Sequence, residues 1–397
     1  MSTESTESTE SVAVPDDGGQ QESSEVTELE FRRVVVKVGT NLLTGGGDRL
    51  DADEMARIVA QIATLRARGG EAIVVSSGAI AAGRERITPA AGREPPSPQV
   101  LAAVGQSRLM SFWDELFAAR GITSAQALLT RGDLDDRLGY LNTRNTLLAL
   151  IDLDVVPIVN ENDVVSVEEI ESSVIGDNDN LSAQVANLID ADLLLLLTDT
   201  AGLYTADPTT SDDARLIETV DVIDEAIEGA AAGTAGRRGT GGMRTKVEAA
   251  RIATQSGTHV IIADGRRPGT VLRACFNDNP GTHFMPTGDR RESRRRYLLS
   301  GLPVRGVIVV DRGAEQALLG DGTSLLPVGV AEVSGEFERG DVVRIESSDG
   351  THIASGQSNY SAEDVTRLKG VRSDHIIDVL GHEHGDEIVH RNNLALV

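Results

Sequence analysis

The sequence predicts an α/β fold, a mostly parallel sheet sandwiched by helices, followed by a small C-terminal β-rich domain. Short, continuous apolar runs alternate with longer helix-compatible segments from residue 31 onward. Strands that are buried on both faces of a parallel sheet have this continuous apolar character. After about residue 286 the pattern changes to short alternating strands separated by glycine turns. A chain of 397 residues also exceeds the usual size of one hydrophobic core, so two domains are expected.

Five apolar runs predict strands and five intervening segments predict helices. The strands are expected at 34–38, 72–75, 155–159, 193–197 and 260–263. The helices are expected near 51–68, 98–120, 139–152, 180–190 and 245–256. Polar loops follow the first four strands. Because ligands bind beyond the carboxyl ends of parallel strands, these loops predict a single cleft.

The composition predicts five segments, and the first is a tail. Residues 1–30 contain nine acidic and no basic residues. This tail lacks the positive and apolar regions of a secretory signal, and we expect it to be disordered because it has nothing to bury. The remaining segments are an α/β domain, a basic linker, a β-rich domain with one helix near 361–370, and a C-terminal extension; their expected ranges are 31–287, 288–303, 304–382 and 383–397.

The charge balance argues against a general nucleic-acid-binding protein. The net charge is −25, and such binders need a basic surface. Residues 304–382 hold seven Lys and Arg against thirteen Asp and Glu, a net charge of −6, so RNA affinity is expected to be weak. A single cysteine, Cys275, excludes an internal disulfide and fits a reducing cytoplasm. No apolar stretch approaches the roughly 18 residues of a membrane span.

Lysine is rare and is placed where phosphate chemistry is expected. Only three of the 37 basic residues are lysines. Lys37 and Lys246 adjoin glycine-containing loops, whereas Lys369 has no evident motif. A compact ammonium on a flexible stem reaches a phosphate oxygen in a way that a planar guanidinium does not. The two loop lysines therefore predict a phosphate site.

Several polar motifs each have two interpretations. GTGGMRTK at 239–246 is a phosphate loop or a mobile loop, and it is not a Walker A sequence because no GK[ST] occurs in the chain. SSGA at 76–79 is a turn that approaches a ligand or a tightly packed turn. In VIGDNDN at 174–180, Asp177 and Asp179 hold Mg²⁺ through waters or form a turn and helix cap.

The remaining motifs are weaker by themselves. NEND at 160–163 is a ligand-binding segment or an ordinary strand end, and Thr198 and Asp199 contact a nucleotide or lie in a surface turn. No histidine stands in a spacing typical of a zinc site, so no metal ligand is assigned to the protein. No GxSxG motif occurs, which disfavours covalent acyl transfer.

Seven motifs together resemble, in order and spacing, the glutamate 5-kinases of proline biosynthesis, a family of the amino acid kinase superfamily. They are VVVKVGTNLLTGG, VVSSGAIAAGRERI, LAAVGQSRLM, PIVNENDVV, GDNDNLSAQVA, LLLLTDTAGLYTADP and GTGGMRTK. The resemblance covers about residues 32–385, and the C-terminal part resembles the PUA domain that many bacterial members carry. It implies an amino acid kinase fold over 31–287 and transfer of a phosphoryl group from ATP to the side-chain carboxylate of L-glutamate.

The resemblance also implies roles for individual residues. Lys37, Lys246 and Asp179 are expected to be catalytic, with Asp179 organising the two lysines. The nucleotide is expected to contact Lys37, Gly39, Thr198, Asp199, Thr240, Gly241, Gly242, Met243, Arg244, Thr245 and Lys246. Glutamate is expected to contact Ser77, Asp163 and Asn178. Arg244 touches phosphate or points to solvent, and the sequence leaves that choice open.

The implied chemistry agrees with the residues that are present. A glutamate side-chain carboxylate, with a reference pKa of about 4.3, is ionised at pH 7 and needs no general base. The reaction instead needs positioning and neutralisation of charge on the transferred phosphoryl group, for which two lysines and Mg²⁺ are expected. The resemblance further implies a homo-oligomer, a dimer or tetramer, and feedback inhibition by proline.

Three other interpretations stay open at the level of sequence. One is another carboxylate or phosphate kinase, such as an acetylglutamate or uridylate kinase. The second is an RNA-binding or RNA-modifying protein, because PUA domains occur in such enzymes. The third is an inactive regulatory homologue, which is disfavoured because every matched motif position is filled.

Overall fold

The computed structural model describes residues 28–87, 94–165, 178–233, 242–288 and 303–397. Most of the predicted acidic tail and of the predicted basic linker lie outside these ranges. Thr240, Gly241 and Asp177 lie outside them as well, so the roles expected for these residues stay predictions.

The first domain contains an eight-stranded sheet that is parallel except at one edge. Its strands are β1 Arg33–Val38, β2 Glu71–Ser76, β3 Ser124–Leu129, β4 Val156–Glu161, β5 Leu193–Thr198, β6 Thr219–Val220, β7 His259–Asp264 and β8 Thr282–Phe284. The strand order is β3-β4-β2-β1-β5-β7-β8-β6, and β8 pairs with β7 in the antiparallel direction. All five predicted strands are confirmed. Strands β3, β6 and β8 were not predicted: β3 is an edge strand with partly exposed residues and no continuous apolar run, and β6 and β8 are only two and three residues long.

Helices connect the strands of this sheet. They are α1 Thr40–Leu43, α2 Ala52–Ala67, α3 Ala79–Arg86, α4 Pro98–Ala118, α5 Arg131–Asp135, α6 Arg137–Asp152, α7 Asn178–Leu188, α8 Glu225–Gly233, α9 Met243–Gln255 and α10 Thr270–Cys275. The five predicted helices correspond to α2, α4, α6, α7 and α9. The N-termini of α2, α4 and α6 are capped by Asp51, Ser97 and Asp136, whose side chains accept hydrogen bonds from backbone N–H groups of the first turn.

The sheet is the middle of three layers because its central strands bury both faces. Val34, Val36 and Val38 of β1 pack into one core with α2 and α4, whereas Val35 packs into the opposite core with α7 and α9. Successive side chains of a strand point to opposite faces, so a continuous apolar strand supplies both cores. The predicted α/β sandwich is thus confirmed.

Helices α3 and α4 cross at two glycines with almost no space between their backbones. A Cβ atom added to Gly105 would lie 1.8 Å from the Ala79 carbonyl oxygen, and one added to Gly83 would lie 1.9 Å from the Leu101 carbonyl oxygen. Only glycine allows this approach. The crossing fixes α4 against the N-terminal end of α3, which directly follows β2.

The second domain is the predicted β-rich domain. Its strands are β9 Val304–Val310, β10 Val330–Gly335, β11 Val342–Glu346, β12 His352–Gln357 and β13 Leu394–Leu396, in the order β10-β9-β11-β12-β13. Its helices are α11 Arg312–Gln316, α12 Ala362–Leu368 and α13 Ile376–Leu380. The segment predicted as a C-terminal extension, 383–397, contributes β13, which pairs with β12.

The two domains meet at helix α6 through polar contacts. Arg137 forms an ion pair with Asp341 at 2.7 Å. Arg144, which is buried, forms an ion pair with Asp190 of its own domain at 2.6 Å and donates to the Asn392 carbonyl oxygen at 2.9 Å. A buried guanidinium needs such partners, so the C-terminal segment completes the surroundings of a first-domain residue.

Two further observations concern the predicted class of protein. Among the described residues, no helix is long and apolar enough to cross a membrane. Burial raises the pKa of the Cys275 thiol to about 12, so this cysteine carries little thiolate and is chemically inert.

The α3–α4 crossing yields a stability prediction with a matched control. We expect Gly105→Ala to lower the free energy of unfolding by about 1–3 kcal/mol because the added methyl group forces two helix backbones apart. Gly229 in α8 has no atom within 4 Å of an added Cβ. Gly229→Ala should therefore raise the free energy of unfolding by up to about 1 kcal/mol through helix propensity. Urea unfolding measures both, and an equal response of the two variants would contradict the steric explanation.

Candidate active site

A cavity of about 770 Å³ lies beyond the carboxyl ends of β1, β2, β4 and β5. The polar loops that were predicted to converge do meet here. Nine of the predicted site residues line this cavity: Lys37, Gly39, Ser77, Asp163, Asn178, Asp179, Thr198, Asp199 and Lys246. They come from both halves of the first domain, which the parallel sheet brings together at one edge.

The centre of the cavity is a carboxylate that holds two ammonium groups. Lys37 Nζ lies 2.5 Å from Asp179 Oδ1, and Lys246 Nζ lies 3.1 Å from Asp179 Oδ2. The Thr245 hydroxyl also lies 2.7 Å from Asp179 Oδ2. All three charged side chains are at least nine-tenths buried. Lys37 is in β1, Asp179 is in the first turn of α7 and Lys246 is in α9, so no two of them are neighbours in sequence.

The electrostatics of this cluster keep Asp179 ionised. Burial alone would raise the pKa of Asp179, but the charges of Lys37 and Lys246, with hydrogen bonds from Lys37 and Thr245, hold that pKa well below its usual range. The cluster therefore carries one net positive charge in a site shielded from water. Such a fixed charge is suited to a developing anion.

Three helices that border the cavity begin at glycines. Gly39, Gly78 and Gly242 are the N-caps of α1, α3 and α9, and none of them provides a side-chain hydrogen bond to its helix. Backbone N–H groups of a first turn that lack a side-chain cap are free to bind anions. Gly78 has a φ of +100°, which a residue with a side chain adopts only with strain.

A network of side-chain amides lines the part of the cavity nearest β2 and β4. Asn178 Nδ2 lies 3.0 Å from the Ser77 hydroxyl oxygen, 3.0 Å from the Ser76 carbonyl oxygen and 3.1 Å from Asn160 Oδ1, so its two N–H groups are shared among these three acceptors. Asn160 Nδ2 in turn donates to Gln106 Oε1 at 2.7 Å. The network therefore extends from the predicted substrate residues to helix α4.

Apart from Lys37, Gly39 and Lys246, the residues predicted to bind the nucleotide divide into three groups. Thr198 and Asp199 line the cavity beside Asn41, whose amide donates to Asp199 at 3.3 Å. Gly242, Met243 and Thr245 lie at the start of α9 but do not line the cavity, and Arg244 is exposed. Thr240 and Gly241 lie outside the described residues, so their contact with the nucleotide stays a prediction.

Several cavity and network residues were not singled out from the sequence. Asn160 was visible only as the first letter of NEND, and Gln106 only within the LAAVGQSRLM motif. Asn41, Asp48 and Arg84 also line the cavity; Asn41 and Arg84 lie within two of the seven matched motifs, but the sequence assigned no role to any of the three. Their positions follow from the strand order and not from local pattern.

The side chains of the cavity fit Mg²⁺ only if nucleotide phosphates supply most of its ligands. Both oxygens of Asp179 are engaged by lysines, so this carboxylate is poorly placed to be a metal ligand. Among the described residues, no group of three or more His, Cys, Asp or Glu side chains is arranged to hold a metal. Mg²⁺ bound mainly by nucleotide phosphates and waters fits these residues.

Comparison with known proteins identifies the class of protein that this fold and cavity define. The model of the amino acid kinase family matches residues 32–264, and the model of the PUA domain matches residues 306–380. The first match spans more than half of the chain and includes every charged residue of the central cluster. The sheet, the cavity and the match together define an amino acid kinase with an appended PUA domain.

The more similar relatives narrow this class. A glutamate 5-kinase of Dehalococcoides mccartyi is 53% identical over 92% of this chain and 99% of its own length. A glutamate 5-kinase of Vibrio parahaemolyticus is 48% identical over 92% of this chain and 96% of its own length. The chain therefore belongs to the glutamate 5-kinase family. A carbamate kinase structure from Giardia lamblia, 18% identical with a TM-score of 0.47 over 64% of this chain and 99% of its own, adds nothing to this assignment.

The central cluster yields a prediction about Asp179. We expect Asp179→Asn to lower the free energy of unfolding by about 3 kcal/mol or more, because two buried ammonium groups lose their counter-charge. Phosphoryl transfer should fall about a hundredfold or more because neither lysine is held in place. Urea unfolding and initial rates measure the two effects.

The pH dependence provides a further check on the same variant. Asp179 has a lowered pKa, so its contribution is present above the ordinary value of 3.8 and is lost as the pH falls toward the folded-state value. The stability difference between wild type and Asp179→Asn should thus be constant from pH 5 to 8. Asp278→Asn, which breaks an exposed ion pair with Arg273, is the control and should change stability little. Equal stability of wild type and Asp179→Asn would contradict the central role of this carboxylate.

Proposed function

We propose that the protein transfers the terminal phosphoryl group of ATP to the side-chain carboxylate of L-glutamate, giving L-glutamyl 5-phosphate and ADP. The observation that carries this proposal is the pair of buried ammonium groups held on Asp179 in the cavity. The names of the similar proteins support the choice of substrate. The product is the first intermediate of proline biosynthesis from glutamate.

The cluster supports a mechanism without a general base. The attacking carboxylate is already ionised at neutral pH, and its approach to an anionic phosphoryl group is opposed by charge repulsion. Lys37 and Lys246 place positive charge between the two reactants, while Asp179 fixes the position of both lysines. Barrier lowering by prearranged charge and by in-line positioning is the main contribution that a protein makes to phosphoryl transfer.

The surrounding residues support two subsites. Thr198, Asp199 and Lys246 line the cavity and are proposed to hold ATP, and the uncapped backbone N–H groups at the start of α9 are proposed to bind its phosphates. Mg²⁺ would enter with the nucleotide and neutralise phosphate charge when bound. Ser77, Asp163 and Asn178 are proposed to hold glutamate, because hydroxyl and amide groups bind its carboxylates and a carboxylate binds its ammonium group.

Three further proposals concern the whole protein: its oligomeric state, its location and its regulation. We infer a homo-oligomer, which exposed apolar side chains on α4 and on the edge strand β3 support: Val100, Val104 and Leu128. A cytoplasmic location is proposed because the chain has a single cysteine and therefore no internal disulfide. Inhibition by proline is expected from the family resemblance.

Product trapping tests substrate and reaction together. The protein is incubated with Mg²⁺, ATP and hydroxylamine and with glutamate, aspartate or N-acetylglutamate in turn. Hydroxamate is expected from glutamate alone, because hydroxylamine captures the acyl phosphate. Hydroxamate from N-acetylglutamate would favour the acetylglutamate kinase alternative, and none from any acid would refute the proposed reaction.

A lysine substitution tests the role of the compact ammonium. We expect Lys246→Arg to lower kcat by about a hundredfold or more, because a planar guanidinium does not fit between Asp179 and a phosphoryl group. Lys369→Arg is the matched control, since Lys369 is exposed in the second domain and should leave kcat unchanged. A Lys246→Arg variant with nearly wild-type kcat would show that the shape of the cation is unimportant.

A further inference from the structure

The amide network of the cavity ends at Gln106, a residue that the proposed function does not use. Gln106 lies in α4 and does not line the cavity. Its Oε1 accepts from Asn160 Nδ2 at 2.7 Å, the shortest hydrogen bond of the network. Asn160 does line the cavity and is 2% exposed. Gln106 is therefore one hydrogen bond removed from the space where the substrate binds.

The direction of every hydrogen bond in this network is determined. The Ser76 carbonyl oxygen only accepts, so the amide of Asn178 has to present its NH₂ group to it. That same NH₂ group and the Glu161 backbone N–H, at 2.9 Å, both donate to Asn160 Oδ1. Asn160 must then turn its NH₂ group toward Gln106, which has to present its carbonyl oxygen. Only an acceptor at position 106 completes the network.

Helix α4 holds this acceptor in a fixed place. Gln106 directly follows Gly105, the residue at the close backbone crossing with α3. Two turns later on the same helix, Trp113 Nε1 donates to the Ser76 side-chain hydroxyl at 3.0 Å. One face of α4 therefore contacts both the end of β2 and the end of β4, and the crossing prevents the helix from shifting.

We propose that Gln106 is a positioning residue for the amino-acid substrate and that it acts through Asn160. By accepting from Asn160 it holds that amide, and through it Asn178, in a single orientation. Because the Ser77 oxygen accepts from Asn178, the Ser77 hydroxyl hydrogen is left to donate to a substrate carboxylate. The proposal rests on the proposed function, which it deepens by naming what orients the glutamate subsite.

The network contacts only one of the two subsites. Gln106 and Asn160 make no hydrogen bond to Lys37, Asp179 or Lys246. Loss of the acceptor should thus weaken substrate binding equally in the ground state and the transition state, which raises KM and leaves kcat in place. Without the acceptor, the buried NH₂ group of Asn160 has lost its partner Gln106 Oε1. We expect this loss to raise KM for glutamate about tenfold.

The experiment compares two replacements of Gln106. Gln106→Met has a similar length and no carbonyl acceptor, and we expect KM for glutamate to rise about tenfold with kcat and KM for ATP nearly unchanged. Gln106→Glu keeps an acceptor oxygen but adds a negative charge, so its KM for glutamate should lie between those of wild type and Gln106→Met. A wild-type KM in Gln106→Met, or an equal rise in Gln106→Glu, would overturn the proposal. So would a fall in kcat with both KM values raised.

A matched control separates positioning from general stability. Gln61 in α2 accepts from the Val271 backbone N–H at 2.9 Å and does not line the cavity. Gln61→Met loses a comparable hydrogen bond, so it should lower the unfolding midpoint and leave KM for glutamate unchanged. A similar rise in KM for this variant would show that the effect of Gln106→Met is not specific, and would refute the positioning role.

A double-mutant cycle tests the route through Asn160. In an Asn160→Ala background, Gln106→Met should have no further effect on KM for glutamate, because the shared hydrogen bond is already gone. Additive effects would contradict the route. If wild type does not phosphorylate glutamate, the proposed function and this inference both fail. If wild type is active and Gln106→Met matches it in KM, only this inference fails.

Discussion

The two-lysine ion cluster on Asp179 is the interaction on which the rest of the site depends. If the buried carboxylate faced one ammonium group, the pair would have no net charge. Without any ammonium group, the carboxylate would be protonated or would destabilise the site. With Lys37 on one oxygen and Lys246 on the other, Asp179 is fully ionised and leaves a net positive charge. The strand order brings these three side chains, from β1, α7 and α9, to one place.

The same constraint requires that the supporting elements hold the cluster in place. A charge cluster lowers a barrier only if it does not need to rearrange during the reaction. Asp179 and Asn178 are adjacent in the first turn of α7, so the charge cluster and the amide network share one support. The amide network is held in turn by α4, whose position is fixed where Gly83 and Gly105 allow two backbones to touch. The charge cluster and the amide network are thus linked through packing.

Local pattern identified most of the first domain but not all of it. The central strands were predictable because burial on both faces demands continuous apolar residues. The edge strand β3 was not predictable, because it pairs with one strand only and has exposed residues. Helix α3 was not predicted either, because its eight residues carry no amphipathic pattern. Gln106 sits in a predicted helix, yet nothing in the helix periodicity distinguishes it from a surface glutamine. Its role depends on which strand end α4 passes.

The sequence by itself determined the fold class, the presence of two domains and the loops that meet at the cavity, because burial period, glycine placement and the scarcity of lysine are properties of local sequence. It also marked Lys37 and Lys246 as candidates. Only the tertiary structure decided that both lysines bind the same carboxylate, and that an amide network joins Ser77 to Gln106. The reason is physical: a hydrogen bond or ion pair across the sheet depends on strand order and helix packing, which no local pattern encodes.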